Sequence, residues 1–211
     1  MKFLATLVFA TALLFASNSR ADLIYQIDMD TGSLTGDGFI ELSLGGLTDA
    51  PAALATVTSH SGAFGDVVDQ FGAVTGDLSG TLQLASALGF ADLVQQVSFG
   101  ELLQLQVLFS GAWLDTMAEA GISFAIKLWS AEWLPLLTID AAGDLLQLEL
   151  LPGGSISVET FSTSVNVQPL ISVPVPATGL LVLIGLLGLA LNARARRSAS
   201  QLQLADGRVA A

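Results

Sequence analysis

Short stretches along this chain alternate apolar and polar residues with a period of two, the pattern of strands buried on one face. Residues 23–27 open the series, and 39–44, 53–58 and 80–84 follow. The strongest run is 102–110, where Leu103, Leu105, Val107 and Phe109 share one face and Gln104, Gln106 and Leu108 the other. In 121–129, Ile122, Phe124, Ile126 and Leu128 point inward, and Ser123, Ala125 and Lys127 outward. Residues 145–150 repeat the alternation with Leu146, Leu148 and Leu150 inside, and 155–160 and 164–167 complete it. Glycine and aspartate mark turns at Thr35-Gly36-Asp37-Gly38, Gly76-Asp77, Ala142-Gly143-Asp144 and Pro152-Gly153-Gly154. About ten short strands at this spacing predict an all-β fold, a two-sheet antiparallel β-sandwich of jelly-roll type. Helix is expected only as a turn or two within 64–71 and 85–97. No internal repeat divides the body.

The two ends break the pattern. Residues 1–21 carry Lys2, an apolar run and then Ser19-Arg20-Ala21, which reads as a signal peptide cut between Ala21 and Asp22. Signal peptidase and the Sec machinery are the expected partners of such a leader. Residues 177–193 hold no charged side chain and are just long enough to cross a bilayer as a helix. Arg194, Arg196 and Arg197 follow as a stop-transfer cluster, which orients the body outward and the tail 194–211 toward the cytoplasm. The expected organisation is therefore a leader (1–21), an extracytoplasmic sandwich (22–170), a proline-containing linker and motif (171–176), a transmembrane helix (177–193) and a basic tail.

Charge sharpens this division. Of the 211 residues, 19 are acidic and 7 basic; residues 22–176 hold 18 of the acids and a single base, Lys127, a net of −17 with His60 neutral. Such a body repels nucleic acid and anionic lipid. There is no cysteine, so disulfides, thiolate metal sites and thiol catalysis are excluded. His60 is the only histidine, and no nucleophile–base arrangement follows from its spacing. Among the carboxylates, Asp66, Asp69, Glu119, Glu132, Asp140 and Asp144 are the candidates for paired acid–base work, yet they read mostly as turn or solvent-facing residues. No enzyme and no required cofactor are expected. Calcium, a hard ion held by loop oxygens, has weak candidate ligands in Asp28, Asp30, Asp37, Asp140 and Asp144. Trp113 and Trp133 flank loops and are candidate glycan contacts, whereas Trp129 ends a strand and suits the core.

The segment Val173-Pro174-Val175-Pro176-Ala177, the apolar run and the three arginines together resemble the PEP-CTERM family of sorting signals, in its VPxPA variant. The body is similar to a set of PEP-CTERM proteins without assigned activity through Tyr25-Gln26-Ile27-Asp28-Met29-Asp30-Thr31, Ala55-Thr56-Val57, Gly76-Asp77-Leu78-Ser79-Gly80, Phe99-Gly100, Ser123-Phe124-Ala125 and Leu136-Leu137-Thr138-Ile139-Asp140. The resemblance implies export, retention at the inner membrane as a precursor, and processing near Pro174–Ala177 by an exosortase-type enzyme. It further implies a structural role at the cell surface or in an exopolysaccharide-rich biofilm matrix. A surface carbohydrate-binding module and a single-span membrane protein with an acidic outer domain are the alternative readings.

Overall fold

A computed structural model describes residues 23–47, 49–116 and 120–170. The leader and its Ala21/Asp22 junction, the sorting motif, the apolar segment, the arginine cluster and Glu119 lie outside the described residues. No helix among the described residues is long and apolar enough to cross a membrane.

Twelve strands are found among the described residues, and the alternation predicted most of them. In one sheet stand β1 (Leu23–Asp30), β3 (Ala53–Ser61), β5 (Ala73–Thr75), β6 (Thr81–Ala85), β8 (Leu102–Gly111) and β12 (Val165–Leu170). The second sheet is built from β2 (Asp37–Gly46), β4 (Ala63–Phe71), β7 (Phe90–Ser98), β9 (Ile122–Ser130), β10 (Asp144–Leu151) and β11 (Ser155–Thr160). The first is ordered β12-β1-β8-β3-β6-β5 and the second β11-β10-β9-β2-β7-β4. All neighbours are antiparallel. The fold is thus a two-sheet antiparallel β-sandwich. Its pairings are nested: β1 with β8, β2 with β7 and β3 with β6, as the chain passes from sheet to sheet.

Inward positions of the two sheets meet in one apolar core. Ile27, Met29, Ile40, Leu42, Leu44, Leu105, Phe109, Phe124, Ile126 and Leu148 are fully buried. Each such side chain contributes roughly 1.5–3 kcal/mol. Phe109 of the first sheet meets Phe124 of the second edge-on, with ring centroids 5.4 Å apart. A register shift between Asp144 and Leu146 turns both Leu145 and Leu146 inward, a departure from strict alternation.

The expected helical turns at 64–71 and 85–97 are corrected. The first segment is β4, an edge strand with two register shifts and mostly exposed side chains. Asp66 and Asp69 on it and its bulges discourage edge-to-edge pairing. The second holds only a 3-10 turn at Ser86–Leu88 before β7 begins. Gly76, at φ +78°, ends the short β5; a Cβ there would lie 2.0 Å from the Thr81 carbonyl oxygen.

Candidate functional site: an aromatic shelf on the outer face of the second sheet

Strands β2 and β9 run side by side at the middle of the second sheet, with Phe39 opposite Trp129, Glu41 opposite Lys127, and Ser43 opposite Ala125. Ile40, Leu42, Ile126 and Leu128 fill the core, so period two sends Phe39, Glu41, Lys127 and Trp129 outward. The indole N–H of Trp129 donates to Glu41 Oε2 at 2.8 Å. Lys127 Nζ lies 3.3 Å from Glu41 Oε1, 3.8 Å from Asp144 Oδ1 and 5.8 Å from the centre of the Trp129 ring. One carboxylate is therefore gripped through both oxygens, and it fixes the plane of the indole beside it.

The chain leaves β9 through a tight turn that delivers a second indole. Ser130 Oγ accepts the N–H groups of Glu132 and Leu134 and donates to Glu132 Oε2. The N–H of Trp133 donates to the Ser130 carbonyl at 3.0 Å, and Leu136 N–H returns to Leu128 O at 2.9 Å. This turn holds Trp133 at φ +62°, a left-handed conformation that is costly for a bulky residue. Its ring lies nearly parallel to Phe39, at 15° and 4.5 Å between centroids, and 6.4 Å from Trp129. With Phe39 beneath it, Trp133 is still 48% exposed. Gly143, in the separate turn just before β10, packs against Trp129: at φ +89°, a Cβ there would sit 3.2 Å from Trp129 Cη2.

Beside Phe39 lies a groove of about 300 Å³ lined by Asp37, Gly38, Phe39, Gly65, Gln96, Val97, Ser98 and Ala131. Ser98 Oγ donates to Asp37 Oδ1 at 2.7 Å across its floor. A more open groove of about 600 Å³ flanks the opposite end of β2, between Leu47, Leu88, Phe90, Ser123 and Glu149. Between the two lies a band of carboxylates. Burial, then the nearby charges of Glu41 and Asp69, push the Asp92 carboxyl up to about 6, with Lys127 opposing. Asp92 Oδ1 is buried without a hydrogen-bond partner. Burial also raises Asp144, again against the pull of Lys127.

The sequence candidates separate on this framework. Trp133 reaches the shelf, but Trp113 does not. A 3-10 turn at Ala112–Leu114 tips Trp113 into the core, where it is fully buried and its indole N–H donates to Ser110 O at 3.2 Å. Trp129, expected in the core, points outward. The weak calcium candidates are dispersed. Asp28 accepts from Gln26 and Gln104, Asp30 from the N–H of Gly32, and Asp37 from Ser98. Asp140 caps its own turn through Ala142 and Asp144, and Asp144 faces Lys127. Among the described residues no three acidic or histidine side chains converge as a metal site would require. His60 is exposed at a register shift in β3.

Phe39, Glu41 and Trp129 were not among the sequence candidates. Their signal was the period itself: if Lys127 points outward, so must Trp129. The fold and the shelf together define a β-sandwich with an aromatic surface platform on one sheet. Comparison with family models, with curated proteins and with solved structures gives no match to this chain.

Proposed function

We propose that this chain is an exported surface or extracellular-matrix protein whose sandwich holds a matrix polysaccharide on the Phe39–Trp129–Trp133 shelf. The observation that carries the binding half is Trp133: a half-exposed indole kept in a left-handed backbone conformation and stacked parallel to Phe39. Strain held at a half-exposed aromatic supports a role in ligand contact. Sugar rings present flat C–H faces, and fixed indoles beside polar groove residues are suited to them. The nested strand pairing supports assignment to the jelly-roll group, in which lectin domains occur. The export half rests on the resemblance of the leader and of the Val173–Ala177 segment to sorted precursors, with Arg194, Arg196 and Arg197 closing the membrane segment.

Titration of the full chain in detergent with exopolysaccharide from the producing cells, followed by tryptophan fluorescence, tests the binding half. Saturable quenching is expected, and Trp133→Gly lowers affinity at least tenfold. In that variant, relief of left-handed strain, about 1–2 kcal/mol, roughly offsets the lost stacking of about 0.5–1.5 kcal/mol. The half-buried indole surface lost with the ring adds a cost of about 1–3 kcal/mol, so the fold of the variant is checked by circular dichroism before the titration. Undiminished affinity in Trp133→Gly sinks the shelf. Intact mass and N-terminal sequencing, with and without the sorting enzyme, test the export half. A chain starting at Asp22 that loses its apolar segment only when the enzyme is present is expected; retention in both strains refutes sorting.

A further inference from the structure

We infer that the polysaccharide taken by the shelf carries protonated amino groups: a polymer of amino sugars with free amines, rather than a uronic-acid polymer or a fully N-acetylated one. This inference rests on the shelf reading above and assigns its ligand class from charge. Three acids stand around the aromatic rings: Asp37 lines the adjoining groove, Glu132 sits in the Trp133 turn, and Glu41 is bonded to the Trp129 indole. The one base, Lys127, is already shared between Glu41 and Asp144 and has little to offer an incoming anion.

The balance of the face is therefore negative, as is that of the whole region 22–176, at −17. A uronic-acid chain laid along it meets net repulsion. A neutral chain gains stacking but leaves the acids unused. An ammonium group gains on both counts, because a cation over an indole face is attracted by the ring as well as by the carboxylates. The groove beside Phe39 supplies Gln96 and Ser98 for hydroxyl groups. From Phe39 to Gly45 the outer face of β2 extends for roughly 20 Å, room for several consecutive sugar units between the two grooves.

The test uses the full chain in detergent at pH 6.5 and three hexasaccharides: glucosamine, N-acetylglucosamine and galacturonate. Calorimetry is expected to give at least tenfold tighter binding for glucosamine than for N-acetylglucosamine, and no heat for galacturonate. Raising salt from 50 to 500 mM weakens the glucosamine complex several-fold. The double variant Asp37→Asn/Glu132→Gln loses most of the preference for glucosamine over N-acetylglucosamine, with an unchanged circular dichroism spectrum and unfolding midpoint to exclude misfolding; an undiminished preference in the folded variant overturns the inference. Equal or tighter binding of either competitor overturns the inference. So does failure of glucosamine to bind when the native exopolysaccharide still quenches tryptophan fluorescence, and in that case the shelf itself survives.

Discussion

Gln95 is the most demanding residue in the core. It occupies an inward position of β7, fully buried among leucines and valines. Its amide is nonetheless satisfied: Oε1 accepts the Leu78 N–H at 2.8 Å, and Nε2 donates to Gly65 O at 2.9 Å and to Ser79 Oγ at 3.3 Å. One side chain thus pins the β5–β6 turn and the edge strand β4 to β7. Gln95→Leu keeps the bulk and removes all three bonds. The Leu78 N–H, buried with its residue, is left unpartnered at a cost of about 1–3 kcal/mol. Gly65 is exposed, so its carbonyl turns to water and the loss there is only about 0.5–1.5 kcal/mol. Better burial of the apolar side chain returns about 1 kcal/mol. The expected net loss is about 2 kcal/mol, a fall in Tm of roughly 4–8 °C for a domain of this size. Urea denaturation measures the first, and hydrogen exchange localises it: the Leu78 amide exchanges about 30-fold faster. Parental stability with unchanged Leu78 protection would refute the reasoning, because the amide would then be holding nothing.

Two further predictions concern the carboxylate band. Asp92 ionises near 3.8 in an unfolded chain but at about 6 when folded, so the native state binds the extra proton and loses stability as pH rises from about 4 to 6. Asp92→Asn should therefore leave stability unchanged at pH 4 and raise it by about 1–2 kcal/mol at pH 8, after allowance for solvent screening; denaturation at the two pH values decides, and an equal effect at both is fatal to the argument. Lys127→Met removes the cation shared by Glu41 and Asp144 and is expected to cost about 1–3 kcal/mol at pH 7. The added change Glu41→Gln should recover part of that loss in a double-mutant cycle, whereas strict additivity would show that the two groups do not interact.

Where burial alternates along a strand, the sequence is legible residue by residue. In β8 and β9 the inward sets Leu103, Leu105, Val107, Phe109 and Ile122, Phe124, Ile126, Leu128 are buried as predicted. It is illegible where the fold relaxes that constraint. β4 lies at an edge, exposed along most of its length, so nothing selects alternation there. In β7 the inward Gln95 and the nearly buried, outward-facing Val94 blur the period, and the segment resembles a helix. The shelf was half legible. The exposure of Trp133 follows from its loop position, but a single 3-10 turn carries Trp113, expected at the surface, into the core. The pairing of Phe39 with Trp129 depends on the register of β2 and β9, a contact between residues 90 apart that no local pattern encodes.

The nested pairing also has a consequence in time. β1 is made first, yet its neighbours are β8 and β12: Asp28 is bonded to Gln104, and Ile24 stands opposite Leu170. A chain that emerges N-terminus first therefore carries an unpaired first strand until more than seventy further residues have followed. Its edge closes only when the last strand arrives. Such long-range closure makes folding slow, and it favours an all-at-once collapse over stepwise assembly. On the export reading proposed above this delay is useful, because a body that cannot close early stays extended enough to pass through a membrane.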